Sequence, residues 1–220
     1  MTIRFVYQVE GVLKFLSHLD LLKLFNRALL RAGLPVAYSE GFNPHPKISF
    51  GPPRGVGQEG RREMGDLQLK EPLPPAEVCR RLNLALPKNL RILAAKEVED
   101  FAPPLMAEIN LAVYEAEFSL PPDLLAGLKQ KTAEFLAADK VEILRKRPKK
   151  KDKIIDLRAG LQSLIWQDNI LRLEIPFAEA GSVKPVEVLQ HLLPPDAGEA
   201  YRLARVGLFV QSADGRRQEP

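Results

Sequence analysis

Two short stretches of this sequence hold most of the residue types that could bind a ligand or catalyse a reaction. The first, FLSHLDL at residues 15–21, contains His18 and Asp20. The second, GFNPHPKISF at residues 41–50, contains His45. Two of the three histidines of the chain therefore lie in these stretches, which makes them the first candidates for a functional site.

A metal site is the first chemistry to consider, since His18, Asp20 and His45 offer nitrogen and oxygen ligands that suit zinc or a non-haem metal. The spacing argues against it. Residues two apart in a helix point about 200° away from each other, so His18 and Asp20 would not share a face. Asp20 also suits the first helical turn, where the helix dipole stabilises an anion. We therefore predict no metal ligands.

General acid–base catalysis is the second possibility. An imidazole can accept a proton near neutral pH, for example from an RNA 2′-hydroxyl. The candidates are His18 and His45, with Lys47 as a stabilising charge. Nothing in the sequence shows that the two imidazoles face each other, so the catalytic residues stay unknown at this stage.

Recognition without chemistry is the third possibility. Pro44 and Pro46 restrict the backbone on both sides of His45, and this rigidity lowers the entropy cost of presenting a side chain. Aromatic rings stack on bases, amides bond to base edges and lysines reach phosphates. The nucleic-acid-binding candidates in this loop are Phe42, Asn43, His45 and Lys47.

Each of these residues taken alone also has a structural explanation. His18 could cap a helix, His45 could bond to the backbone, and Phe42 and Phe50 could fill a core. The clustering of these residues, more than any one of them, favours a functional site.

The apolar pattern around these stretches predicts a β-α-β-β-α-β order. Residues 3–9 alternate as a half-buried strand, and residues 12–16 are predicted to stay extended. Ser17 has the position of a helix N-cap whose hydroxyl accepts from the N–H of Asp20. Later elements of this half are two strands, a helix and a last strand, at residues 47–50, 64–69, 75–86 and 90–98.

The second half repeats this order of elements without repeating the sequence. The predicted fold class is α+β, with tandem ferredoxin-like (β-α-β-β-α-β) domains at residues 1–99 and 109–212. Residues 100–108 form the predicted linker and residues 213–220 a frayed tail. The alternative is one ferredoxin-like domain followed by an unrelated α+β half.

A strongly basic run, RKRPKKKDK at residues 145–153, has seven cations in nine positions. Clustered lysines and arginines bind polyanions by releasing counterions, although such a run can also be a solvated loop. The nucleic-acid-binding candidates here are Arg145, Lys146, Arg147, Lys149, Lys150, Lys151 and Lys153.

The composition narrows the class of protein. Hydrophobic residues make up 45% and charged residues 27% of the chain, as in globular proteins. There is no apolar run long enough to span a membrane and no signal-peptide pattern, so we expect no membrane partner. The single cysteine, Cys79, predicts no disulfide-linked partner and a reducing, cytoplasmic location. We also predict no bound cofactor.

At FLSHLDL and GFNPHPKISF the sequence resembles the bacterial radical-SAM-linked (radical-SAM-associated) protein family, a domain family of unknown function. Its members occur alone or joined to radical S-adenosylmethionine proteins, and their genes often neighbour those of such a protein and of an E/G-type ribonuclease. The matching motif positions are Ser17, His18, Asp20, Gly41, Asn43, Pro44, His45 and Pro46. The resemblance implies a cytoplasmic role near RNA processing or modification.

The resemblance also implies a radical-SAM protein as partner. With one cysteine, this chain lacks the three thiolates of a radical-SAM [4Fe–4S] cluster, so it would be the companion and not the radical-SAM catalyst. The leading hypothesis is an RNA-binding accessory that positions tRNA or rRNA for that partner or for an RNA-processing enzyme. The alternatives are an RNA-processing or RNA-modifying enzyme using His18 and His45, and a protein–protein adaptor without RNA contact.

Overall fold

The structure is a computed structural model that describes residues 1–100, 102–148, 151–178, 181–194 and 200–220. The described residues belong to the α+β class and include five α-helices. None of these helices is long and apolar enough to cross a membrane. The chain divides into two compact units, one formed by Met1–Ile109 with Arg205–Pro220 and the other by Asn110–Ala204.

The first unit follows the predicted order of elements. These are β1 (Thr2–Val9), a 3-10 helix (Gly11–Phe15), α1 (His18–Arg31), β2 (Ile48–Phe50), β3 (Glu59–Gln68), α2 (Pro75–Ala85), β4 (Leu90–Val98) and the short α3 (Leu105–Glu108). The strand order is β4-β1-β3, and β2 pairs with β3. All of these pairings are antiparallel.

The core of the first unit lies between the sheet and one face of α1 and α2. Along α1 the buried side chains are Leu21, Phe25, Ala28 and Leu29, the spacing of an apolar helical stripe. They pack against the buried face of β1, on which residues alternate as the sequence predicts. This packing holds the N-terminus of α1 against the sheet.

Residues 12–16 differ from the prediction of an extended segment, because the chain forms the 3-10 helix there. Gly11 adopts a left-handed φ of 57°, which turns the chain at the end of β1. The N–H of Leu13 then bonds to the carbonyl of Glu10, and that of Leu16 to Leu13, which is the i→i+3 pattern of a 3-10 turn.

The second unit contains two sheets. Its elements are β5 (Leu111–Phe118), α4 (Pro122–Ala137), β6 (Glu142–Arg145), β7 (Lys153–Asp156), β8 (Ser163–Gln167), β9 (Ile170–Pro176), α5 (Pro185–Leu192) and the first residues of β10 (Tyr201–Gln211). The larger sheet has the order β10-β5-β9-β8, and β6 and β7 form a separate two-stranded hairpin.

The compact units differ from the sequence-based domain limits at two places. Residues 100–108 hold α3, whose Leu105 is buried. The end of the chain belongs to the first unit, where β11 (Arg217–Gln218) pairs with β10 and Glu219 pairs with Arg62. A strand that returns to the start of the chain makes contacts that a linear reading of the sequence does not reveal.

Candidate functional site

The start of α1 forms as the sequence predicts. Ser17 is the N-cap, and its Oγ accepts from the N–H of Asp20 at 3.2 Å and donates to the Asp20 carboxylate at 2.7 Å. The Ser17 hydroxyl bond lowers the pKa of Asp20. Both residues are therefore used in starting the helix, which leaves His18 as the residue of this stretch with unused polar groups.

His18 lies in a cleft of the first unit, here called the His18 cleft. Its ring is edge-on to that of Phe50, with ring centroids 5.9 Å apart. The cavity volume is about 10 Å³, which is room for about one water molecule. The polar and charged side chains that line it are Tyr7, Ser17, His18, Arg54 and Glu63.

Glu63, which lines this cleft, belongs to a buried ion pair. Arg205 of β10 donates from Nε and Nη2 to the two carboxylate oxygens of Glu63 of β3, at 2.8 and 2.5 Å. The side chains are only 1% and 4% exposed. Nη2 also donates to the carbonyl of Pro52 at 2.6 Å. The pair therefore joins two strands and the loop before β3 through one guanidinium group.

Tyr7 and Arg54 complete the cleft. Tyr7 is 2% exposed, and among the described residues its hydroxyl has no hydrogen-bond partner. Burial and then the nearby Glu63 charge raise the pKa of Tyr7, so its hydroxyl stays protonated. Arg54 Nη1 donates to the carbonyls of Lys14, Gly55 and Gln58, and burial lowers the pKa of this guanidinium.

The predicted recognition loop at residues 41–50 is closed by a local hydrogen-bond network. The N–H of Ser39 donates to the carbonyl of His45 at 2.9 Å, and the N–H of His45 donates to Ser39 Oγ at 3.1 Å. His45 Nδ1 lies 2.9 Å from the same Oγ. Phe42 is fully exposed, and Asn43, His45 and Lys47 are exposed as well.

The structure does not bring His18 and His45 together. His45 and Lys47 line a second cleft of the first unit, which includes the carboxylates of Asp66 and Asp100 and does not include His18. Asp66 is paired with Arg4 at 2.9 Å. Among the described residues, no cluster of three or more His, Cys, Asp or Glu side chains could hold a metal ion.

The basic run lies on the β6–β7 hairpin of the second unit. Arg145 pairs with Lys153 in the hairpin register, and Leu144 pairs with Ile154. Arg145 donates to both carboxylate oxygens of Glu187 in α5 at 2.6 Å and is only 16% exposed. This arginine therefore attaches the hairpin to α5 and contributes little free charge.

The other described cations of the run lie at or next to the hairpin turn. Lys146 and Lys151 are exposed. Arg147 stabilises the turn, because its Nε donates to the carbonyl of Lys151 at 2.8 Å and its N–H donates to Asp152. Lys149 and Lys150 lie outside the described residues.

The Arg145–Glu187 pair predicts a pH-dependent stability. Burial acts to raise the pKa of Glu187, but the hydrogen bonds from Arg145 and the Lys184 N–H outweigh it, and the pKa is lowered from its ordinary value of 4.5. A lowered pKa in the folded state stabilises the fold above that value and loses the effect as the pH falls through the folded pKa. We expect Glu187→Gln to cost about 2 kcal/mol at pH 7.

This cost should disappear in acid, where the wild-type carboxyl is protonated as well. Urea unfolding of both proteins between pH 7 and pH 2, followed by the fluorescence of Trp166 in the same unit, measures the difference. A difference that is the same at all pH values would contradict the assignment.

A cavity in the second unit has little polar chemistry. It has a volume of about 530 Å³ and is lined mainly by leucines of α4 and α5. Asp123 and Lys131 are the charged residues that line it. Binding sites usually combine an apolar pocket with several converging polar groups, so this cavity is a weaker candidate than the His18 cleft.

Sequence reasoning did not find Tyr7, Arg54, Glu63 or Arg205 as site residues. One feature could have indicated two of them. Tyr7 carries the one polar atom on the alternating apolar face of β1, and Arg205 interrupts an otherwise apolar part of β10. A buried polar atom requires a partner, so both positions predict a polar site within the core.

The fold and site define an α+β protein with two compact units, a polar cleft in the first and a basic hairpin in the second. The family comparison matches residues 2–185 to a domain family described as an uncharacterised protein conserved in bacteria (DUF2344). The chain belongs to this family. No curated protein matches the sequence.

Proposed function

We propose that this protein is an RNA-binding accessory that positions tRNA or rRNA for a radical-SAM partner or for an RNA-processing enzyme. The observation that carries the proposal is the β6–β7 hairpin, which is separate from the larger sheet of its unit and holds exposed lysines at its turn. Cations grouped in this way bind phosphates through counterion release.

The geometry separates the cations of the hairpin into two groups. Arg145 and Arg147 hold the hairpin in shape through Glu187 and the turn backbone. Lys146 and Lys151 make no such bonds with their side-chain ammonium groups among the described residues. The lysines are therefore the phosphate contacts, and the arginines keep those lysines in place.

The loop around His45 supports a second contact with RNA. Phe42 is fully exposed on a loop that the Ser39–His45 bonds close, so its ring can stack on an unpaired base at small entropy cost. Asn43 and Lys47 are exposed near it and can bond to a base edge and a phosphate. Asp66 and Asp100 line the same cleft as Lys47 and weaken its attraction for a phosphate, so the hairpin supplies most of the affinity.

We also propose that both units have the ferredoxin-like fold. In the first unit β3 lies between β1 and β2, and in the second unit β9 lies between β5 and β8. In the first unit α1 lies between the two outer strands of the trio along the chain, and in the second unit α4 and the β6–β7 hairpin do. This order supports the split β-α-β arrangement of ferredoxin-like folds. The radical-SAM partner is supported by the motif resemblance at residues 15–21 and 41–50.

Charge reversal at the hairpin turn tests RNA binding. Lys146→Glu combined with Lys151→Glu should weaken binding to tRNA about tenfold or more, because two phosphate contacts become repulsive. The slope of log affinity against log salt should fall by about 1 for each lost contact. Filter binding against total tRNA at several salt concentrations measures both quantities.

The matched control is Lys88→Glu combined with Lys131→Glu, which changes two exposed lysines and alters the net charge equally. This control should bind tRNA nearly as the wild type does. If wild type shows no RNA binding at low salt, or if both double variants behave alike, the proposal fails. Nuclease-insensitive co-purification with a radical-SAM protein would then favour the adaptor function.

A further inference from the structure

We infer that the His18 cleft is a binding site for a terminal phosphate group, formed by the Tyr7 hydroxyl, His18 and the N-terminus of α1. This inference is independent of the RNA proposal, because it concerns the first unit and residues outside the basic hairpin. The chemical class of ligand is a phosphomonoester, either on a small molecule or at the end of an RNA.

The Tyr7 hydroxyl is the first observation. Tyr7 is 2% exposed and lines the cleft, yet its hydroxyl has no partner among the described residues. Because the Tyr7 ring is buried and its hydroxyl opens on the cleft, the hydroxyl is placed to donate to a ligand atom that enters there. The ring packs against Phe5, Phe25 and Phe50 at centroid distances of 5.9, 5.3 and 5.7 Å, which fixes the direction of the hydroxyl.

The helix start is the second observation. α1 is 14 residues long, and its first intrahelical bond runs from Leu21 to the carbonyl of Ser17. Ser17 Oγ accepts from the N–H of Asp20. The N–H groups of His18 and Leu19 have no acceptor among the described residues. Unbonded N–H groups at a helix N-terminus bind anions, and the helix dipole adds to the attraction.

The charges at the cleft favour an anion. Both oxygens of Glu63 are bound by Arg205, which balances that carboxylate. Arg54 adds a positive charge that only carbonyl groups hold by hydrogen bonds, and carbonyls orient a guanidinium without neutralising it. Asp20 does not line the cleft and is paired with Lys23 at 3.6 Å. Arg54, which lines the cleft, and Arg205, which binds the lining Glu63, therefore outnumber the one carboxylate there.

The size of the cleft restricts what can enter. A volume of about 10 Å³ admits one oxygen atom and excludes a base or a sugar ring. A terminal phosphate can insert one oxygen toward Tyr7 while its other oxygens bond to His18 and to the first-turn N–H groups at the mouth. The site would thus recognise a phosphate end and leave the attached group outside.

Titration of the full chain with inorganic phosphate tests the site. The ¹⁵N-resolved amide signals of His18 and Leu19 should shift with saturation. Tyr7→Phe keeps the ring and removes only an unpartnered hydroxyl, so it should fold normally and raise the Kd for phosphate about tenfold or more. His18→Gln should also weaken binding, and Tyr201→Phe in the second unit is the matched control without an effect.

Two RNA decamers that differ only in a 5′-phosphate or a 5′-hydroxyl distinguish the sources of the phosphate. If the phosphorylated decamer binds more tightly and loses that advantage in Tyr7→Phe, the ligand is an RNA end. If the decamers bind alike while inorganic phosphate binds in a Tyr7-dependent way, the ligand is a small phosphomonoester. Amide signals that do not move with phosphate, or equal Kd values for wild type and Tyr7→Phe, would overturn the site.

Discussion

Replacing Glu63 by alanine should destabilise the first unit by about 3–5 kcal/mol, because it removes the carboxylate that accepts from Nε and Nη2 of the buried Arg205 guanidinium. The Arg205 side chain is 1% exposed, so water cannot replace the lost carboxylate. The Pro52 carbonyl remains as an acceptor but carries no net charge. Urea unfolding, followed by far-UV circular dichroism and by hydrogen exchange of β3 amides, measures the loss.

Two control variants show whether the loss of stability comes from breaking the buried ion pair or from removing any charged residue of β3. Arg62→Ala removes the neighbouring ion pair with Glu219, whose side chains are 43% and 42% exposed, and should cost at most about 1 kcal/mol. Glu63→Met combined with Arg205→Met removes both charges and should recover most of the stability, since apolar groups can replace a buried pair. Equal losses in Glu63→Ala and the double variant would show that the pairing itself is unimportant.

The sequence pattern predicts most elements of the fold because their signals are local. Ile3, Phe5, Tyr7 and Val9 share the buried face of β1, Ser17 caps α1, and β4 has the predicted bounds Leu90–Val98. Paired prolines mark the starts of α2 and α4 for the same reason, since proline is tolerated at the first helical position. In each case the decisive contacts lie within a few residues of each other.

The missed features depend on contacts between distant residues. β3 begins at Glu59, before the strand predicted at residues 64–69. The first residues of β3 lack a local strand signal, because they are charged and include Gly60. Its register with β1, where Tyr7 pairs with Glu63 and Val9 with Gly60, makes it a strand. The charge of Glu63 is stabilised in the core by Arg205, which is 142 positions away in the sequence. Local propensity cannot predict such a pair.

The parts of the candidate site that depend on local contacts are also the parts that the sequence predicts. The Ser17 cap depends on neighbouring residues and agrees with the prediction. The Tyr7 hydroxyl is different, because its position at the cleft depends on residues that are distant in the sequence. A distant contact also divides the basic run at residues 145–153, because Glu187 binds Arg145 from 42 positions away.

Phe42 and Phe50, both within residues 41–50, should respond very differently to replacement by alanine. Phe50 is 7% exposed, and its ring lies within 6.2 Å of the rings of Phe5, Tyr7 and Phe25. Phe50→Ala should cost about 3–5 kcal/mol, since it removes a buried ring and leaves a cavity among the remaining aromatic side chains. It also removes the edge-on contact that holds the His18 ring in the cleft.

Phe42→Ala is the matched control, because this ring is fully exposed and makes no packing contribution to lose. It should change the free energy of unfolding by at most about 0.5 kcal/mol. Hydrogen exchange of the β1 amides, which lie beside the Phe50 ring, reports the difference between the variants directly. If Phe42 stacks on a base, its alanine variant should instead weaken binding to single-stranded RNA by about 1–3 kcal/mol while the protein stays folded. A loss of stability in Phe42→Ala similar to that in Phe50→Ala would mean that the loop is packed and unavailable to a ligand.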